Sequence, residues 1–308
     1  MIEILTLLGS MAAVAFVGWL LAHLRVLGPG AEVVLARVVF TVATPALLIV
    51  TIASSDLHLL LTRNAVTTFS STLAVAALAV ALLRWALRRD AGQSTVGALS
   101  ASYLNAGNLG LPLAVYLFAD PVIVVPTILV QLLVLAPAAF AVLESRGGGR
   151  SRWHAVRRGL GRSVRNPIIL ATLIGVALAL LPFDPPLWVQ APLRLIGGAA
   201  APLALLTLGM ALALPREAAG KVAVSDLTLV VTLRVLVHPA LAWTIGAALG
   251  LTGEALYAVV VMAALPTAQN VLVYALRYGV GRAIARDSQL ITTALTVPLL
   301  IVISALLS

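Results

Sequence analysis

The sequence predicts an all-α integral membrane protein: ten transmembrane helices arranged as two inverted five-helix repeats, with helices 4 and 9 broken. Three observations lead there. The chain of 308 residues is 61% apolar and only 10% charged, with a mean hydropathy of +1.09, whereas soluble domains carry roughly 25% charged residues. Its one long polar stretch, Glu144 to Arg165, separates five apolar segments from five more. Two of those segments, at matching places in the two halves, are interrupted by Gly, Asn and Pro.

A bilayer crossing takes about 20 mostly apolar residues. Ten such stretches occur, at 4–24, 34–54, 65–86, 94–118, 121–143, 166–182, 189–214, 226–249, 254–276 and 288–307. An even number places both termini on one side. Lys and Arg accumulate on the cytoplasmic side. Sixteen of the twenty basic residues fall in one set of connections, seven of them in the central stretch, against only Arg63 and Arg194 in the opposite set. Both termini are therefore expected to be extracytoplasmic, and 144–165 cytoplasmic. The organisation reads as a first repeat over 1–145, a basic loop over 146–165 and a second repeat over 166–308. Five is odd, so the halves insert in opposite senses, as an inverted repeat requires. The prolines support the pairing: the step from Pro45 in span 2 to Pro202 in span 7 is 157 residues, and the same step carries Asn108 to Leu265.

Several classes are disfavoured. The formal charge of +9 comes from Arg set between apolar runs, which fits loop positioning in a membrane with its lipids, not nucleic acid. Without cysteine there is no disulfide framework and no thiolate metal site. No cleaved leader is expected, because the first apolar run follows Glu3 rather than a basic segment. An intramembrane enzyme would need a mid-membrane Asp pair, a His-Glu-x-x-His helix or a serine nucleophile motif, and none is present. No metal and no cofactor are expected.

The breaks carry the function. The first reads Asn105-Ala106-Gly107-Asn108-Leu109-Gly110-Leu111-Pro112, the second Pro266-Thr267-Ala268-Gln269-Asn270. Backbone inside hydrocarbon must satisfy its own hydrogen bonds, so a mid-span break is costly unless it lines a cavity. A matched pair points to the binding site of a secondary transporter. Asn105 and Asn108 would share a face of any helix left there. Gly107 and Gly110 allow close approach, and Pro112 and Pro266 each lack an amide hydrogen. Half-helices that start at the breaks aim free N–H groups at an anion; carbonyls freed at the other ends suit a cation. The bland alternative is two proline-kinked helices whose amides only pack against neighbours.

All eleven Asp and Glu residues sit at span ends or in connections. Coupling through a titrating mid-membrane carboxylate is therefore not expected, and the site tolerates a negatively charged substrate. Arg234 lies about two turns into span 8, with His238 four residues on and Pro239 after it. Two readings stand. The pair lies on the path of the anion, or Arg234 snorkels to the interface or caps carbonyls. Gln131 reads as an interhelical hydrogen bond.

At these motifs the chain resembles the auxin efflux carrier family, specifically its bacterial members, which are described as malonate or malate permeases. The matching pieces are Ser102 through Pro112, then Asn166-Pro167-Ile168-Ile169, Leu208-Gly209-Met210-Ala211-Leu212, and Leu265 through Asn270. The resemblance implies a fold shared with the bile acid sodium symporters, in which spans 4 and 9 cross at their breaks. Spans 3–5 and 8–10 would form a mobile transport domain, spans 1, 2, 6 and 7 the scaffold, and alternating access would be elevator-like. It places substrate contacts on Asn105, Gly107, Asn108, Pro112, Pro266, Thr267, Gln269 and Asn270, and implies a homodimer in a bacterial cell membrane. Two departures matter. The proline of the plant carriers' Asn-Pro-Asn crossover is delayed here to Pro112, and the acid that precedes Gln-Asn in the sodium symporters is replaced by the neutral Thr267-Ala268.

The expected activity is secondary transport of a small organic anion, a dicarboxylate or an aromatic carboxylate. An anion channel or ligand sensor on the same scaffold, or a sodium-coupled carrier like the bile acid symporters, is the alternative.

Overall fold

The computed structural model describes residues 2–28, 30–53, 62–145, 167–180, 185–213 and 222–307. The expected basic loop, 146–165, lies outside the described residues. Helices account for nearly all of the rest: α1 (Ile2–His23), α2 (Ala31–Val38), α3 (Thr44–Ala53), α4 (Arg63–Ala81), α5 (Ala91–Ser102), α6 (Leu111–Phe118), α7 (Val125–Leu129), α8 (Ala136–Ser145), α9 (Pro167–Leu180), α10 (Leu187–Gly198), α11 (Ala200–Ala213), α12 (Val224–Thr232), α13 (His238–Ala248), α14 (Gly253–Ala263), α15 (Gln269–Tyr278) and α16 (Arg282–Leu307). The sole extended pairing among the described residues is an antiparallel bridge between Leu104 and Thr267.

Among the described residues, six helical runs are long and apolar enough to cross a membrane: Ala31–Val50, Arg63–Ala86, Pro121–Leu143, Leu187–Met210, Val224–Ala248 and Arg282–Leu307. Their outer faces are lipid-like: Leu195, Val224 and Leu306 are all more than three-quarters exposed. Trp85 and Trp188, similarly exposed near the ends of their runs, suit the headgroup boundary.

Four prolines in these runs and half-helices follow a wide π turn, whereas Pro192 and Pro298 sit inside α10 and α16 without one. The pairs are Val39–Ala43 before Pro45, Ala106–Gly110 before Pro112, Val130–Leu135 before Pro137, and Leu233–Val237 before Pro239. Proline cannot donate to the helical ladder, and its ring crowds the carbonyl four residues back. One extra residue in the preceding turn moves that carbonyl away.

The chain forms two compact units. One contains α1 to α3, α6 and α9 to α11. Its helices touch through glycine. α1 packs along α11, and α9 and α10 along α3. A Cβ on Gly209 would collide with the Ala15 carbonyl, and one on Gly18 with the Leu206 carbonyl. Gly197 lies against the backbone of Leu47, and Gly175 against Ile52 and Leu48. Lipid tails are as apolar as leucine, so close backbone contact of this kind is what holds membrane helices together.

The second unit contains α4, α5, α8 and α12 to α16. Its interior is an apolar cluster that includes Val75, Leu83, Val96, Leu99, Tyr103, Leu233, Val271 and Ile284. Asp90 caps α5 by accepting from the amides of Gly92 and Gln93 at 2.8 and 3.1 Å. The Tyr257 hydroxyl meets Ser304 Oγ at 2.6 Å and ties α14 to α16.

Candidate functional site

α5 and α14 both stop inside the second unit, and the strands that follow them pair. The Asn105 amide donates to the Pro266 carbonyl at 2.8 Å, and the Ala268 amide to the Tyr103 carbonyl at 2.9 Å. These two bonds flank the Leu104–Thr267 bridge. Each break thus supplies the backbone partner that the other lost, which is how unwound chain can persist among apolar helices.

The first break is displaced from its expected place. The non-helical stretch is Tyr103 to Asn105, not Asn105 to Pro112, and the chain re-enters helix at Ala106 through the π turn that accommodates Pro112. Asn105 is therefore extended and Asn108 helical, so no common helix face carries both amides. Gly107, Asn108 and Pro112 belong to the first compact unit. A Cβ on Gly107 would meet nothing within 4 Å, so that glycine is not required by close packing. The second break is the non-helical run from Leu265 to Ala268, and Gln269 and Asn270 head α15.

The expected site residues divide by exposure. Pro266 and Thr267 are buried, Asn105 is buried at 4%, Gln269 is half-buried and Asn270 is exposed. Thr267 has its hydroxyl proton engaged within the protein. Its Oγ1 donates to the Ser100 carbonyl at 2.6 Å, and its amide donates to Thr292 Oγ1 at 3.0 Å. A carbonyl left over at the end of α5 needs a donor, and Thr267 supplies it from the second break. Gln269 and Asn270 stand in the first turn of α15, where amide hydrogens have no partner within the helix.

Arg234 and His238, expected on an anion path or at the interface, are both interior, at 1% and 0% exposure. Arg234 does not snorkel. It points into the crossing and caps both broken helices. Its Nε and Nη2 donate to the Leu265 carbonyl at 2.8 and 2.6 Å, and Nη1 to the Ala101 carbonyl at 3.0 Å. A longer contact of 3.4 Å reaches the Ala263 carbonyl. Nη1 also lies 2.9 Å from His238 Nδ1, and His238 Nε2 lies 3.3 Å from Thr72 Oγ1. Guanidinium has no acceptor atom, so Nδ1 is the acceptor and the imidazole proton resides on Nε2. Gln131 is buried, and its Nε2 has no partner, contrary to the expected interhelical bond.

Sequence reasoning overlooked two residues. Tyr103 closes the first break: its hydroxyl interacts with Asn270 and Tyr274, and its ring meets the Tyr274 ring edge-on at 6.0 Å. Thr72 anchors His238. The signal for Thr72 was available in the polar run Thr67, Thr68, Ser71 and Thr72, which is buried within an otherwise apolar span.

Comparison with known proteins fits this arrangement. The family described as "Membrane transport protein" matches residues 4–304. The chain belongs to this family, the auxin efflux carriers. It is thus a multi-pass membrane protein of a membrane transport family. A relative from Rhizobium meliloti (strain 1021), named "Putative malonate transporter", is 32% identical over 211 residues. That match covers 67% of this chain and 64% of the relative, so it spans less than two thirds of the relative's length.

Proposed function

We propose that this auxin efflux carrier family member moves small organic anions, dicarboxylates of the malonate type foremost, across a bacterial cell membrane by alternating access. The observation that carries the reading is the reciprocal pairing of Tyr103 and Asn105 with Ala268 and Pro266. It leaves a helix N-terminus headed by Gln269 and Asn270 at the crossing, with amide dipoles that favour an anion. Asn105, Gln269 and Asn270 supply amide donors for a carboxylate. The name of the Rhizobium relative supports malonate as the first substrate to try.

The architecture we assign is ten spans in two inverted repeats, with both termini outside. Its support is an exchange between the halves: α1 packs on α11, and α9, the first helix after the central loop, packs on α3. Each half also breaks in its fourth span. In an elevator-type cycle the unit that contains the crossing would move and the glycine-packed unit would serve as scaffold.

Thermal-shift screening of the purified protein tests the binding part. A ligand that binds only the folded state raises its stability as RT ln(1 + [L]/Kd). Malonate or another small dicarboxylate should raise the melting temperature in a saturable way, and the corresponding monoamides should not. A flat response to every small carboxylate would remove the basis for the assignment.

A further inference from the structure

We infer that the Arg234 guanidinium is a resident cation of the helix crossing: it takes the position that a bound metal cation would otherwise fill, and the folded crossing needs no sodium. The inference goes beyond the carrier reading and does not depend on which anion is carried.

The argument starts from the helix ends. α5 and α14 both present their C-termini to the crossing, and each such end carries roughly half a negative charge. Together they call for about one positive charge. The carbonyls there, Ala101 from one break and Ala263 and Leu265 from the other, converge on one centre, as oxygens do around a metal ion. The centre is the fork of Arg234, with contacts of 3.0, 3.4, 2.8 and 2.6 Å. The remaining near neighbour is His238, which accepts a hydrogen bond and is therefore neutral on that side. Among the described residues no carboxylate forms an ion pair with Arg234, so the guanidinium charge answers the helix ends alone. Guanidinium is more weakly hydrated than a compact cation and tolerates burial better. A π turn at Leu233–Val237 aims the side chain, so the charge is delivered from a third helix and bridges both breaks.

The test uses the purified full-length protein and needs no substrate. Melting is followed while sodium chloride replaces choline chloride at constant ionic strength. The wild type should show no sodium-specific change. Arg234→Ala should melt several degrees lower, and millimolar guanidinium should restore part of that loss, whereas urea, of the same shape but neutral, should not. Arg234→Lys should fall between the two proteins. A saturable stabilisation of the wild type by sodium would overturn the inference, as would an Arg234→Ala protein of undiminished stability or one that guanidinium and urea affect alike. If Arg234→Ala does not fold, the sodium titration of the wild type decides by itself. A failure of malonate to bind would leave every one of these readings intact.

Discussion

Two nitrogens of Arg234 converge on one oxygen, the carbonyl of Leu265, at 2.8 and 2.6 Å. That oxygen lies in the non-helical run just after α14. A charged donor from a neighbouring helix thus replaces the helical hydrogen bond that the chain gives up there. The unwound segment gains partners for carbonyls that a helix would have satisfied, and the consequences can be measured.

His238 is the second support of this contact. His238→Leu removes the acceptor of Arg234 Nη1 and the partner of Thr72. A charged donor that loses one buried partner costs about 1–3 kcal/mol, so the variant should melt well below the wild type. His238→Asn, whose side-chain oxygen can reach toward the Nδ1 position, should recover part of the loss. Equal stability of His238→Leu and wild type in detergent melting would show that the contact carries no weight.

The Thr267 hydroxyl is expected to serve the end of α5 rather than a ligand. Thr267→Val keeps the shape and deletes the hydroxyl that satisfies the Ser100 carbonyl. The expected loss of stability is about 1 kcal/mol or somewhat more, while affinity for the carried anion, measured by thermal shift, should stay near the wild-type value. A selective loss of affinity at unchanged stability would return Thr267 to the substrate site.

Gly209 and Gly107 make opposite predictions from the same residue type. In Gly209→Ala the new methyl meets the Ala15 carbonyl, which is backbone and cannot swing aside. Overpacking of this kind costs about 1–3 kcal/mol, seen as reduced yield and a lower melting temperature. Gly107→Ala meets open space and should fold normally. Equal yields and melting points for the two variants would contradict the close α1–α11 packing.

Much of this was legible in the sequence. The scarcity of charge and the apolar runs gave a membrane protein, and two stretches of Asn, Gly and Pro gave the breaks. The first break was misplaced because Tyr103 and Leu104 carry no helix-breaking signature. α5 ends there through bonds from Ala268 and Thr267, more than 160 residues away in the chain, and local composition cannot report such partners. Pro112 drew the expected break too far along, since a proline looks like a stop unless a π turn precedes it. Arg234 was ambiguous for the same reason. Its helical spacing from His238 was readable, but the carbonyls that hold it come from α5 and the α14 break.

The most direct test is counterflow of radiolabelled malonate in proteoliposomes loaded with unlabelled malonate, extended to other small dicarboxylates. The account predicts saturable accumulation by the wild type. It predicts loss of that accumulation in Asn105→Ala and Asn270→Ala proteins that retain a cooperative melt. Wild-type counterflow in both variants, or a conductive and non-saturating flux in the parent protein, would contradict the claim that the crossed breaks bind the transported anion.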